Sequence, residues 1–387
     1  MPVNPAPVPL SVAAASNSSP LRVRAWLDHL RVMSELPYPS LALMPSIVAL
    51  LRERLDAVFA SYGWVHGEQL EPEAFWVERI HESAMRWFQE HFREVHDDVP
   101  LRAMVQSDGD IIRQVTSRPE YVHNPLHTGV LITYGVRWVC CLPFFGAQGN
   151  VHGFLHLYRA EHQPLFSDDD QALLRRARTA VGPIDRGHGP YRQLPPAHRQ
   201  RVASARLVFD RHGRMRSRTE NALPMLFLAN VPRMGVLDWA CFDTQVLPET
   251  VRAPMQAWMK ECAARGSRTW TVEVTWGTFE FIADRMVPVA GAPDELQWLV
   301  TLNYLEPQDL TLARRLVNWP LSPQEKRILI ASTRDATLAD VASALDITLG
   351  SLKNYVNGLL QRHGVHTRSE LVEQVLRTRA PGDPLIV

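Results

Sequence analysis

Apolar residues recur at helical spacing through the last sixty or so positions of the chain. Leu338, Val341, Ala342 and Leu345 fall at i, i+3, i+4 and i+7. Leu352, Val356, Leu359 and Leu360, and then Leu371, Val372, Val375 and Leu376, repeat the interval. A period of 3.6 puts each set on one face, so three amphipathic helices are predicted. Each opens on a side chain able to accept from the first unpaired backbone N–H groups: Thr337 with Asp340, Thr348, and Thr367 with Glu370. A further helix is announced by Ser322-Pro323-Gln324-Glu325, a capping box with proline where its missing N–H costs nothing. Asp346-Ile347 makes a tight turn, and Gly364 stands where a left-handed residue would end a helix. Four capped helices, the second and third joined by a very short turn, have helix-turn-helix spacing.

Upstream the period changes to two. Val136, Trp138, Cys140 and Leu142 alternate as one strand face, Gly149-Asn150 turns, and 151–158 alternates again. One side of that second strand carries Val151, Gly153, Leu155 and Leu157, and the other His152, Phe154, His156 and Tyr158. Ser167 with Asp170 then caps a helix. Helical patterning covers Leu43 to Ala60 nearer the start. A second block reads strand (206–209), turn (Asp210–Gly213), strand (214–218), helix (219–228) and a longer helix near 249–264. Trp270, Val272, Val274 and Trp276 alternate next, Gly277 turns, Phe279 and Phe281 resume, and 297–304 closes the block. This predicts one five-stranded antiparallel sheet with helices on one side.

Proline and glycine divide the chain. The expected layout is a disordered leader over 1–20, an α/β domain over 21–182, a linker over 183–199, and a second α/β domain over 200–306. A coupling helix over 307–319 and an all-α helix-turn-helix domain over 320–380 complete it. The fold class is thus α+β multidomain. In the coupling helix Leu310, Ala313, Leu316 and Val317 make a stripe that suits a dimer contact or an intramolecular core equally well.

Charge sharpens this picture. Forty-one basic side chains balance 41 acidic ones, which excludes a chain that coats nucleic acid through bulk charge. Residues 320–380 alone carry eight basic against six acidic side chains, a small excess that leaves DNA affinity to dimerisation. The four cysteines (Cys140, Cys141, Cys241, Cys262) have no zinc or disulfide spacing, and no basic-then-apolar leader opens the chain. The most apolar window, Gly129 to Gly146, is broken by Thr133, Arg137 and Pro143, so no membrane span is expected and the chain is assigned to the cytoplasm. His152 and His156 on one strand would stand about 13 Å apart, too far to share a metal. His123 and His127 lack a third ligand. Asp168-Asp169-Asp170 at a helix start is explained by the macrodipole. No phosphate loop, dinucleotide fingerprint, zinc-protease or nucleophile-elbow motif occurs, so no enzyme, cofactor or metal is expected.

The C-terminal motifs, Leu321-Ser322-Pro323-Gln324-Glu325, Leu338 to Leu345, Ser351-Leu352-Lys353-Asn354-Tyr355-Val356 and Gly364 to Leu371, resemble the LuxR-type four-helix DNA-binding domain. The chain departs from that pattern at Asp346 (for glycine), Arg362-His363 and Lys326; aspartate tolerates the left-handed conformation better than most residues. The third helix turns Ser351, Lys353, Asn354, Asn357 and Gln361 to solvent, side chains suited to base edges and phosphates. With Thr348, Arg362 and Arg368 they form the expected DNA-binding set. The resemblance implies DNA as partner, a homodimer with contacts from the fourth helix, and RNA polymerase if the protein activates. More weakly, Val136 to Arg178 resembles the second half of a GAF-type sensor, and Leu207 to Met215 a PAS-domain opening. These imply a small-molecule ligand of unknown identity, for which Trp138, His152, Phe154, His156 and Tyr158 are the candidate lining. The competing reading is a signalling module whose C-terminal helices bind a partner protein.

Overall fold

The computed structural model describes residues 19–68, 70–77, 87, 90, 127–183, 199–210, 212–230, 252–257, 267–274, 277–287, 297–333 and 337–378. Most of the expected leader and linker, His123, Trp276, Arg334, Cys241, Cys262 and most of the helix expected over 249–264 lie outside them, although 252–257 are helical.

The first sheet has four antiparallel strands, β1 (Phe59–His66), β2 (Glu71–Val77), β3 (Val136–Phe145) and β4 (Val151–Ala160), in the order β2-β1-β4-β3. One face, with Tyr62, Trp64, Cys140, Leu142, Phe144, Leu155 and Leu157, shares a core with α1 (Pro20–Ser34), α2 (Ser40–Arg54) and α3 (Asp168–Val181). A Cβ on Gly153 would meet the Tyr62 ring and the Gly63 carbonyl at 2.6 Å, so the absent side chain is what lets Tyr62 lie across β4. The helical patterning of Leu43–Ala60 holds only as far as Arg54. Asp56 takes a left-handed conformation (φ 50°) and the chain enters β1 three residues later. Ser167 opens α3 with a complete capping box: its Oγ accepts from Asp170 N at 3.1 Å and Asp170 Oδ2 accepts from Ser167 N at 2.8 Å.

The alternation expected in β3 is broken at its start. A register shift between Val136 and Trp138 sends Val136 to the other face, beside Val139, Tyr158 and Leu131, while Trp138, Cys140 and Leu142 keep the helix side.

The second sheet is five-stranded and antiparallel throughout, β5 (Arg199–Asp210), β6 (Met215–Arg218), β7 (Ser267–Val274), β8 (Gly277–Met286) and β9 (Gln297–Pro307), in the order β6-β5-β9-β8-β7. Asp210 sets the first turn, its Oδ1 accepting from His212 N at 2.8 Å and Arg214 N at 3.0 Å. Leu207, Phe209, Phe279, Phe281, Val300 and Leu302 form the inner face and pack with α4 (Ala222–Asn230).

After β9 come α5 (Gln308–Arg315) with a 3-10 turn (Leu316–Asn318), then α6 (Pro323–Ala331), α7 (Leu338–Ala344), α8 (Leu349–His363) and α9 (Arg368–Arg377). Leu310, Ala313 and Leu316 are buried within the chain, which makes α5 a core helix and not a free dimer stripe. The architecture is therefore two antiparallel sheets with their helices, followed by a helical C-terminus. Helix α1 joins its parts, touching α2, α3, α5 and α6, and α5 in turn packs on α6 and α9.

Candidate functional site

The C-terminal helices are defined by their ends. Ser322 Oγ accepts from Glu325 N at 3.3 Å while Glu325 Oε2 takes Ser322 N at 2.8 Å. Thr337 and Asp340 repeat the exchange at 2.9 and 3.2 Å, and Thr348 Oγ1 accepts from Ser351 N at 3.1 Å. Asp346 is left-handed (φ 50°), the conformation required between α7 and α8, and Gly364 (φ 65°) ends α8 in the same way. Ile328, Val341, Ala342, Leu352 and Val356 fill the space between α6, α7 and α8.

This packing fixes which side of α8 stays in water. Ser351, Lys353, Asn354, Asn357, Gln361 and Arg362 are exposed, and so is Thr348 at the cap. No carboxylate lies along the helix. Four members of the expected set are engaged inside the chain, Thr348 and Ser351 with each other in the α8 cap and two arginines with other helices. Arg362 Nη2 donates to Glu325 Oε1 at 2.6 Å, tying the end of α8 to the start of α6, and half-buried Arg368 donates to Ser332 Oγ at 3.4 Å. Burial works to raise the Glu325 carboxyl, but the bonds from Arg362 and Ser322 outweigh it and hold the group below its usual range. Tyr355 and Leu349, each 40% exposed, also stand clear of the core on α8, and residue type alone had not singled them out.

The fourth helix differs from what the resemblance implies. Leu371, Val372, Val375 and Leu376 are all buried, and α9 packs on α5. The side of α9 left in water carries Ser369, Glu370, Glu373, Gln374 and Arg377, so a dimer contact there has no apolar stripe to use.

On the first sheet, the face away from α1 and α2 carries Phe154, His156 and Tyr158. Tyr158 Oη is 2.9 Å from Ser61 Oγ, its ring stacks on Phe59 at 4.2 Å, and Phe59 meets Tyr134 edge-on at 5.9 Å. His156 Nδ1 is buried and has no hydrogen-bond partner among the described residues. Burial lowers its pKa from 6.5 to about 4, so the ring is neutral, and burial likewise raises the Tyr158 hydroxyl and the Cys141 thiol.

The structure separates the other two candidate lining residues from these three. Trp138 packs with the helix-side core and its Nε1 donates to the Gln163 carbonyl at 3.1 Å. His152 Nε2 lies 3.1 Å from Ser40 Oγ, the hydroxyl that accepts from Trp64 Nε1 at 3.2 Å. For His152 the cause is a second register shift, between Phe144 and Phe145, where β3 meets the start of β4. Val151 there clusters with Phe154 and Cys141, and strict alternation fails. Among the described residues no group of three or more His, Cys, Asp or Glu could hold a metal, and no helix is long and apolar enough to cross a membrane.

No family model matches the chain, and no curated protein matches it. Among solved structures, PelD 158-CT from Pseudomonas aeruginosa PAO1 aligns at 12% identity and a TM-score of 0.26, over 73% of this chain and 77% of that one. PelD 156-455 from P. aeruginosa PA14, in complex with c-di-GMP, aligns at 14% and 0.26, over 77% and 82%. The E. coli DhaR(N)-DhaL complex gives 10% and 0.20, over 74% and 90%. TM-scores of this size lie below what a shared fold requires, and the functional reading rests on the chain's own residues.

Proposed function

We propose that the chain is a sequence-specific, DNA-binding transcriptional regulator, whose helix-turn-helix output is governed by two upstream sheet modules acting as sensors. The observation that carries the reading is the α7–α8 pair. A left-handed Asp346 turns the chain between the helices. The exposed face of α8 then offers Lys353, Asn354, Asn357 and Gln361 with no carboxylate among them. Asparagine and glutamine amides match adenine edges, and lysine matches guanine edges or phosphate. With a charge excess of only two over residues 320–380, one copy holds DNA weakly, so two copies on half-sites about 34 Å apart supply the working affinity. The Phe154–His156–Tyr158 face is the candidate site for a small-molecule ligand.

Selection from a random DNA library, followed by gel shifts across salt, tests the reading. The full chain is expected to enrich one sequence class and to lose affinity steeply as salt rises. Asn357→Ala is expected to weaken the selected site by roughly five- to a hundredfold, the value of one base contact. Lys353→Ala should weaken selected and random DNA alike if it meets phosphate. If no sequence enriches and Lys353→Ala leaves expression in cells unchanged, the helices serve a partner protein instead.

A further inference from the structure

Helix α6 lies against α1, and two basic side chains meet in that contact. Lys326 Nζ stands 3.4 Å from His29 Nδ1, across 297 residues of chain. Both are buried, Lys326 at 3% exposure and His29 at 1%. An ammonium only donates, so Nδ1 is the acceptor, the single ring proton is on Nε2, and the imidazole is neutral. That Nε2 is buried with no partner among the described residues. We propose that this junction is an acid-sensitive latch: a second proton on His29 sets two buried cations against each other and releases the C-terminal helices from α1.

The surrounding carboxylates are bonded to other cations, and only Asp28 offers Lys326 a weak attraction. On α1, Asp28 bonds Arg31 at 2.5 Å, and Glu35 takes Arg327 of α6 through two bonds of 2.7 Å. Glu325 of α6 is held by Arg362, and Arg314 of α5 by Glu306. On α2, Arg54 lies over the Trp26 ring, and Asp170 of α3 pairs with Arg159. Burial, reinforced by Lys326, holds the His29 pKa well below 6.5. Burial also takes Lys326 from 10.5 to about 8, against a weaker opposing pull from Asp28.

Once the helices separate, both side chains meet water and regain ordinary affinities. The separated state then binds more protons, and acid favours it. Below about pH 8 Lys326 is charged in both states and adds no further slope. His29 supplies the slope from pH 6.5 downward, about fivefold in the opening equilibrium over the first pH unit and approaching tenfold per unit below it, until its lower docked value is reached.

Hydrogen exchange on the full chain, corrected for the intrinsic rate at each pH, reads this opening. Between pH 6.5 and 5.5 the amides of α1 and α6 are expected to open about fivefold more, because His29 in the separated state is already half protonated at pH 6.5, while those of β9 do not change. His29→Gln, which keeps an acceptor but does not titrate, is expected to remove the rise. Lys326→Met, which leaves His29 but removes the opposing cation, should make the rise level off sooner. An unchanged opening in the native chain, a rise shared equally by β9, or a full rise in His29→Gln overturns the proposal. Should His29→Gln not fold, Lys326→Met followed below pH 5.5 decides: burial alone still lowers His29, so the rise persists but ends at a higher pH than in the native chain, and an unshifted end overturns the latch.

Discussion

Two buried junctions hold the helices that follow the second sheet, and they treat charge in opposite ways. At the first, Arg314 of α5 is fully buried and Glu306 is 3% exposed, joined at 2.6 Å. Ser46 of α2 accepts from Arg314 at 3.1 Å, Thr311 donates to Glu306 at 3.2 Å, and nearby Tyr38 donates to Asp309 at 2.5 Å. At the second junction Lys326 faces a neutral imidazole, and no carboxylate pairs with it among the described residues. A buried charge with an opposite partner fixes direction and is costly to disturb. A buried cation without one favours whatever arrangement returns it to water. The α5 contact is a strut, and the α6 contact is a catch that conditions can loosen.

Removing one partner from the strut should have the largest effect. Arg314→Met leaves Glu306 buried and uncompensated, and is expected to cost about 3–5 kcal/mol in urea unfolding. Adding Glu306→Leu should recover most of that loss, because two apolar residues of similar volume need no compensation. If the single variant costs under about 1 kcal/mol, the two junctions do not differ in kind.

The catch should respond with the opposite sign. Lys326→Met keeps the stem and removes the desolvated ammonium, so it is expected to raise stability by about 1–2 kcal/mol near pH 7. A rise in melting temperature checks this, and a loss would mean that Lys326 has a compensating anion after all.

What a reader of the sequence can see follows the same division between local and distant. The helix ends at Ser322, Thr337, Thr348, Thr367 and Gly364 were legible because a cap is an interaction between residues three or four apart. Even the departure at Asp346 was, since one residue's φ is a local property. The antiparallel five-stranded sheet was legible from alternation and turn spacing. The faces of β3 and β4 were only half legible: bulges belong to a pair of strands, and they moved Val136 and His152 without leaving a mark in the alternation. Arg362 read as a free contact on α8 because its partner, Glu325, is 37 residues away. The His29–Lys326 meeting was not legible at all. It is made by tertiary packing of α1 on α6, and periodicity marks a buried face without naming what lies opposite.

The smallest expected effect tests whether the catch is held by its exposed rim. Arg327 and Glu35 meet through two bonds of 2.7 Å, but their side chains are 31% and 50% exposed, so water and salt screen the pair. Arg327→Ala should therefore cost only about 0.2–1 kcal/mol at low salt. The difference from the native chain should shrink as ionic strength rises toward 1 M, where the screening length is about 3 Å. Melting both proteins in parallel across salt measures this. The strut, with both charges out of solvent, is screened far less over the same range. A salt-independent loss at Arg327 as large as that at Arg314 would mean that the rim, and not the buried helix faces, holds α6 on α1.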